Sequence, residues 1–344
     1  MRDGEPAGIG TWAGHDFSGL DPVAALEAAE EAFGVIPDGS FFSYPSYVNR
    51  VYGFHAEDGR EYVAKFYRPG RWSAACIREE QRFLLALADA ELPVVAPLAD
   101  LEGDYLPELV LGEGESETAI PFSLFPKRGG RSFDADGSED LRRLGALIGR
   151  MHALSSAYSA KGPVASHRPS IGPGSLGAYA AELEASESVD PAAAEALFAV
   201  LDQAGQALDR ALGKASARPI LLHGDFHRGN VLDRGPEGLI AIDFDDCCTG
   251  PAIQDLWMLL PGTLDDSRRE LDAAMDGYER FMPFDCTELR LIEPLRLLRM
   301  AHFLAWQARQ LKDPGFLTHF PRWGTRQFWE QETEDLRRQL ERLD

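Results

Sequence analysis

The sequence predicts an α+β fold in two unequal lobes, a small antiparallel sheet followed by a larger helical part. Strand-like alternation rich in aromatic and β-branched residues is concentrated before residue 126, and helical periodicity dominates after it. The repeated β-α-β units of a doubly wound sheet are absent. At roughly 150 residues per domain, 344 residues suit about two domains or lobes. A chain this long buries about three quarters of its surface without disulfide or metal staples.

The elements follow in order. Residues 21–33 (DPVAALEAAEEAF) read as a short amphipathic helix, with Asp21 as N-cap and Pro22 at the first helical position. This helix belongs to an N-terminal extension over 1–34. Residues 47–54 alternate, 55–60 (HAEDGR) form a turn, and 61–67 form a second strand, which together make an antiparallel hairpin. A helix follows over 73–90, where Ile77, Phe83, Leu84 and Leu87 lie near helical spacing. Two or three short strands then lead to 119–125. The run Pro126-Lys-Arg-Gly-Gly-Arg131 punctuates the chain, so the small lobe is expected over 35–125 and the large lobe over 126–344. Helices are expected at 140–154, 191–212, 251–260, 268–281, 288–312 and 326–343. A long Ser/Gly/Pro-rich loop is expected at 155–175, and a β-hairpin within the large lobe spans 218–225 and 239–245.

Composition narrows the function. Acids outnumber bases 56 to 34, a net charge of −22, which argues against binding nucleic acid or an anionic membrane. Seven acids and no base lie between Asp100 and Glu117, and this stretch reads as a solvated loop. The four cysteines, Cys76, Cys247, Cys248 and Cys286, make no C-x-x-C pair and suit a reducing cytosol. The first residues carry no apolar signal-peptide core, and no run of 18 apolar residues is present, so a cytoplasmic protein without a membrane span is expected. Only five of the 34 basic residues are lysines, so a lysine inside a strand invites a specific explanation.

The chemistry concentrates in Leu222-His-Gly-Asp-Phe-His-Arg-Gly-Asn-Val-Leu232 and, after a short turn, Leu239-Ile-Ala-Ile-Asp-Phe-Asp-Asp246. Asp225, Asn230 and Asp243 each sit beside apolar β-like runs, where side chains can converge while their backbones stay fixed. Phosphoryl transfer needs such a set: a carboxylate to orient and deprotonate the acceptor hydroxyl, and oxygen ligands for Mg²⁺ on the phosphates. Asp225 takes the first role, and Asn230 and Asp243 the second. The step from Asp225 to Asn230 matches the H-x-D-x-x-x-x-N spacing of kinase catalytic loops. Two rival chemistries fit less well. A metal pair His223/His227 would need a helix that Gly224 and Gly229 oppose. A phosphatase or nuclease built on Asp243, Asp245 and Asp246 leaves the Asp225–Asn230 spacing without a purpose.

His-Gly-Asp-x-His-x-x-Asn followed by Ile-Asp-Phe resembles the aminoglycoside phosphotransferase and choline kinase group, relatives of protein kinases. The runs starting at Tyr47 (YVNRVY), Lys65 (KFYRPGRW), Phe125 (FPKRGGR), Gly250 (GPAIQDLWMLL) and Ile292 (IEPLR) resemble the bacterial stress response kinase A family over about residues 35 to 335. That resemblance implies a bilobal protein-kinase-like fold and a cytoplasmic, ATP- and Mg²⁺-dependent serine/threonine protein kinase. The implied partner is a protein with a Ser/Thr acceptor, with no nucleic acid or membrane partner, and a monomer is the expectation. A small-molecule kinase acting on an aminoglycoside, choline-like or sugar hydroxyl is the alternative.

Lys65 ends the strand Tyr-Val-Ala-Lys and resembles the V-A-I-K lysine that holds the α- and β-phosphates. Its carboxylate partner is expected at Glu80, whose Glu-Gln-Arg-Phe-Leu resembles the corresponding helix frame, with Glu79 as competitor. No G-x-G-x-x-G precedes Lys65; the turn is Ser43-Tyr-Pro-Ser-Tyr47. The resemblance implies an ATP-contacting serine at Ser46. Asn49 is expected to pin the turn, His223 to buttress the catalytic loop, Asp255 to bond that loop's backbone, and 122–125 to form the adenine-reading hinge. Eleven residues between Asp243 and Asp255 leave no room for an activation loop of the eukaryotic type.

Overall fold

The computed structural model describes residues 17, 19–44, 46, 48–112, 117–135, 137–159, 167–215, 218–312 and 316–343. Parts of several expectations lie outside these residues: positions 1–16 and 18 of the N-terminal extension, Pro45 and Tyr47 of the 43–47 turn and strand start, positions 113–116 of the acidic stretch, and positions 160–166 of the long loop. In chain order the elements are α1 (Pro22–Phe33), β1 (Pro37–Ser43), β2 (Arg50–Ala56), β3 (Glu61–Phe66), α2 (Ala74–Asp89), β4 (Glu108–Leu111), β5 (Thr118–Pro126), β6 (Arg131–Ser132) and α3 (Ser138–Ser159). There follow α4 (Ser175–Ala185), α5 (Pro191–Leu212), β7 (Ile220–Leu222), β8 (Val231–Asp233), β9 (Leu239–Ala241), β10 (Cys248–Gly250), α6 (Ile253–Trp257), α7 (Arg268–Tyr278), α8 (Ile292–Arg309), α9 (Phe316–His319) and α10 (Arg326–Leu340). The chain divides into two compact units. The first comprises Met1–Asp136, Ala157–Pro169 and His223–Cys247; the second comprises Gly137–Ser156, Ser170–Leu222 and Cys248–Asp344.

In the first unit, β1-β2-β3-β5-β4 form one antiparallel sheet. α1 starts where Asp21 accepts a hydrogen bond from the Ala24 amide at 2.9 Å, and it stops at Gly34, whose φ of 64° is the left-handed cap geometry. Its alanines Ala25, Ala28 and Ala29 pack with Tyr52, Phe54, Phe66 and Phe122 of the sheet. Phe66 and Phe122 stack at 4.9 Å. β3 alternates strictly, burying Tyr62, Ala64 and Phe66 in this core and sending Val63 and Lys65 to the other face. Lys65 is thereby set opposite Ser123 of β5 and Val51 of β2.

α2 begins at the N-cap Ser73 and buries Ile77, Phe83, Leu84 and Leu87, as the helical spacing predicts. It also buries three consecutive polar residues, Glu79, Glu80 and Gln81. Each has a partner, as burial of polar groups demands. Gln81 donates to the Tyr105 carbonyl and the Ser123 hydroxyl, both at 2.8 Å. A second sheet, β6-β8-β9, follows residues 223–230 within the same unit. In the acidic stretch, Asp104 is held by Arg78 and Asp100 caps the amides of Glu102 and Asp104.

The second unit is helical, with the short β7–β10 pair. α5 occupies Pro191–Leu212, where the periodicity predicts it. α3 and α7 meet through glycines: a Cβ added at Gly145 would collide with the Ala274 carbonyl, and one at Gly277 with the Arg142 carbonyl. Two differences from the sequence reading stand out. The 218–225 and 239–245 strands do not form one hairpin: β9 pairs with β8 and β7 with β10. Helix α4 was not expected, because its apolar stripe shows only Leu176 and Leu183 buried in eleven residues. No helix among the described residues is long and apolar enough to cross a membrane.

Candidate active site

The segment 223–230 leaves the strand β7 through Gly224, whose φ of 85° suits only glycine comfortably. His223 is fully buried. Its Nε2 donates to the Ile242 carbonyl at 2.9 Å, which sets the tautomer and leaves Nδ1 to accept from the Asp225 amide at 3.4 Å. Phe226 and Phe244 flank the ring. The Asp225 carbonyl accepts from the His227 amide at 2.9 Å and from Asn230 Nδ2 at 3.0 Å. His227 caps the single turn Arg228–Asn230 by accepting from the Gly229 amide, and its Nε2 lies 3.5 Å from Asp225 Oδ2. With its nitrogen committed to this turn, the Asn230 amide keeps its oxygen for another ligand.

The β8–β9 hairpin ties this loop to Asp243: Val231 pairs with Ala241, and the Ile242 amide donates to the Asn230 carbonyl at 3.0 Å. Asp243 has a φ of 60°, a left-handed conformation that costs a non-glycine residue about 1–2 kcal/mol. Its neighbours must hold it there, and its carboxylate stays more than half exposed. Backbone strain of this kind gathers at functional sites.

Lys65 faces three carboxylates. Its Nζ lies 3.1 Å from Asp245 Oδ1, 3.5 Å from Asp243 Oδ1 and 4.0 Å from Glu80 Oε1. Burial pulls the ammonium's pKa down, but Glu80 and Asp243 more than offset it, and the net shift is upward. Glu79, the competitor for this role, instead accepts from the His167 amide at 2.6 Å. Ser46 lies before β2, where its hydroxyl accepts from the Asn49 amide at 3.3 Å. Lys65, Glu80, Ser46, Asp225, Asn230 and Asp243 therefore all belong to the first unit.

Three residues escaped the sequence reading. Asp245, considered only as part of a rival acidic cluster, is buried and pairs with Lys65 and Arg71. Arg71 also reaches Asp246 at 2.7 Å. Arg168, in the expected long loop, is fully buried. It donates to the carbonyls of Phe244, Asp245 and Cys247 at 3.2, 2.6 and 3.0 Å, and pairs with Glu80 at 3.4 Å. Burial of three charged groups so close together was the available signal, but sequence does not show burial. Asp255 lies in the second unit, where it is buried and pairs with His152 at 3.0 Å. Residues 122–125 run within β5. Among the described residues no group of three or more His, Cys, Asp or Glu side chains could hold a metal ion, and His223 and His227 point to backbone partners instead.

Oxygen donors at Asn230 and Asp243 and a lysine facing buried carboxylates are side-chain types that phosphoryl transfer uses. A family model described as "Phosphotransferase enzyme family" matches residues 45–298. The chain is 37% identical over 320 residues, 92% of each chain, to stress response kinase A of Escherichia coli K12. It is 36% identical over 317 residues, again 92% of each, to a Salmonella typhimurium protein described as serine/threonine protein kinase RdoA. The chain thus belongs to the phosphotransferase enzyme family and, within it, to the stress response kinase A group. Among solved structures, an amicoumacin kinase in complex with AMP-PNP and Ca²⁺ superposes with a TM-score of 0.70 at 20% identity, covering 92% of this chain and 94% of its own. Spectinomycin phosphotransferase with ADP and spectinomycin gives 0.64 at 15% identity, covering 93% and 99%. These likenesses show the fold, an α+β kinase-like fold with its five-stranded antiparallel sheet.

Proposed function

We propose that this kinase transfers the γ-phosphate of ATP, with Mg²⁺, to a serine or threonine hydroxyl of a protein. The observation that carries the reading is the grouping of Lys65, Glu80 and Asp243 around one ammonium, tied through the β8–β9 hairpin to Asp225 and Asn230. Lys65 binds the α- and β-phosphates and Glu80 holds it in place. Asp225 orients the acceptor hydroxyl and takes its proton. Ser46 adds a hydroxyl donor to the phosphates where other kinases use glycine amides.

The donor chemistry fits magnesium. A tethered amide oxygen at Asn230 and an exposed carboxylate at Asp243 are two hard oxygen ligands, and Mg²⁺ completes its shell with water and phosphate oxygens. When bound, the ion would neutralise charge developing on the transferred phosphoryl group.

The name of the Salmonella relative favours a protein acceptor. A second reading, a small hydroxyl-bearing acceptor, is favoured by the names of solved structures with this fold, an amicoumacin kinase and an aminopropanol kinase. Radiolabelled ATP separates them: label in the chain itself or in a generic basic protein supports the first, label only in small molecules the second. Asp225→Asn should lower turnover about 100- to 10,000-fold while ATP binding persists. Undiminished turnover in that variant removes Asp225 as the base.

A further inference from the structure

The loop before β2 runs Tyr44-Pro-Ser-Tyr-Val-Asn49 without a glycine. A glycine-rich loop fits its amides to phosphates by moving; a glycine-free one must be held at the right place. The described residues 46, 48 and 49 carry contacts that can hold it. Asn49 is buried, and its side chain uses both ends. Its Oδ1 accepts from the Arg68 amide at 3.2 Å, and its Nδ2 donates to Asp245 Oδ2 at 3.2 Å. The Asn49 amide reaches back to Ser46 Oγ at 3.3 Å, and Arg68 Nε donates to the Val48 carbonyl at 2.8 Å.

The other end of this chain of bonds is Asp245. Its Oδ2 receives Asn49 and Arg71, and its Oδ1 faces Lys65 at 3.1 Å. Asp245 lies two residues after Asp243, and Arg168 fixes its carbonyl. One buried carboxylate therefore joins the Ser46 loop, the lysine strand and the Asp243 segment. A carboxylate of net charge −1 among three cationic or amide donors is satisfied only while all of them stay in register.

We propose that Asn49 and Asp245 form a latch that positions the glycine-free loop, and with it Ser46, against the segment carrying Asp243. Both are positioning residues, acting through Ser46, Lys65 and Asp243 rather than on the reacting atoms. The latch rests on the phosphotransferase reading for its purpose, but its existence can be tested without nucleotide.

The test uses Asn49→Ala, Asn49→Asp and the exchanged pair Asn49→Asp/Asp245→Asn, in the full chain. Calorimetry with Mg²⁺ and AMP-PNP reads the nucleotide, and amide hydrogen exchange at Arg68 reads the loop. Asn49→Ala should weaken AMP-PNP about tenfold, the size expected for one lost hydrogen bond to a buried charge, and speed Arg68 exchange at least tenfold without nucleotide. Asn49→Asp sets two carboxylates together and should weaken binding further. The exchanged pair restores one donor and one acceptor between the two positions but loses the Asp245 charge that faces Lys65 and Arg71, so it should recover only part of the binding lost in Asn49→Asp. Folded Asn49→Ala with unchanged binding and unchanged Arg68 exchange overturns the latch. So does a folded exchanged pair whose Arg68 exchange is no slower than that of Asn49→Asp. Parent protein that shows no AMP-PNP binding overturns the phosphotransferase reading instead, and Arg68 exchange then still decides the latch.

Discussion

Replacing Arg168 by methionine tests how the first unit is held together around Glu80. The methionine fills much of the volume but supplies none of the donors. The guanidinium side chain is fully buried, stacks on Trp72 at 4.7 Å, and serves the carbonyls of Phe244, Asp245 and Cys247 as well as Glu80. Burial alone would lower its pKa; Cys247 and Glu80 reverse this, and the net shift is upward. The charge is thus matched to its surroundings, and its removal leaves Glu80, which is 1% exposed, with the longer Lys65 pairing at 4.0 Å. Breaking a buried ion pair from one side costs about 3–5 kcal/mol. The three carbonyls add roughly 1 kcal/mol each before any relaxation, and the terms do not sum fully. A net loss of about 4 kcal/mol should lower the melting temperature by roughly 8 °C in a chain of this size. Circular dichroism melts and urea titration read it. Arg168→Lys keeps the charge but not the planar fork, and should fall in between. In Glu80→Gln/Arg168→Met neither partner of this pair keeps its charge, and Lys65 retains Asp245 and Asp243, so the double variant should lose less than the sum of the singles by about 1–3 kcal/mol. A folded Arg168→Met protein melting within 2 °C of the parent, or strictly additive losses, would refute the argument.

Two further perturbations act in the second unit. Glu288 is buried, and burial raises its carboxyl pKa from 4.5 to about 7 while it accepts from the Ile253 amide at 2.8 Å. A raised carboxyl contributes stability that is full below pH 4.5 and lost as pH rises through about 7. Glu288→Gln should therefore be more stable than the parent by about 2–3 kcal/mol at pH 8 and nearly equal at pH 4.5, read by urea unfolding at both pH values; an equal gain at both would show that charge is not the cause. At Gly277, where an added Cβ meets the Arg142 carbonyl, alanine should cost about 2 kcal/mol or more. Alanine at Gly177 in α4, with nothing within 4 Å, should gain about 0.5–1 kcal/mol, and thermal melts in which Gly277→Ala matched it would dismiss the close helix approach.

The parts of the site that sequence reveals are those set by short spacing. Asp225 and Asn230 lie five residues apart in one turn, with Asp243 one hairpin further on, and their motif spacing is their geometry. Lys65 is legible because strand alternation sends it to the face opposite the aromatic core. The choice between Glu79 and Glu80 is not legible, since both are buried on α2 and only the fold turns one to Lys65 and the other to His167. Arg168 and Arg71 are further from sequence logic: their partners are 88 and 174 residues away, and a Ser/Gly/Pro-rich context disguises the first as loop. The same holds for the strands. The sequence reading pairs 218–225 with 239–245, but β9 takes β8 as its partner across five residues and β7 takes β10, beyond the turn and β9. Local signals identify strands; they do not say which distant edge completes them.

The segment after Asp243 carries the consequence of these long-range bonds. The Phe244, Asp245 and Cys247 carbonyls are taken by Arg168, the Asp245 and Asp246 side chains by Arg71, and the Cys247 amide by the Phe244 carbonyl. From Cys248 the chain enters β10, and by Ile253 it is in α6. An activation segment works as a switch because it is loose until phosphorylation brings new arginine pairs to it. Here the arginines are already engaged, with backbone carbonyls and with carboxylates of the chain itself. The arginine contacts that order such a segment elsewhere are here made within the chain's own fold. The path of the chain between Asp243 and Cys247 is therefore held by bonds already present within this chain, with no phosphate supplying them.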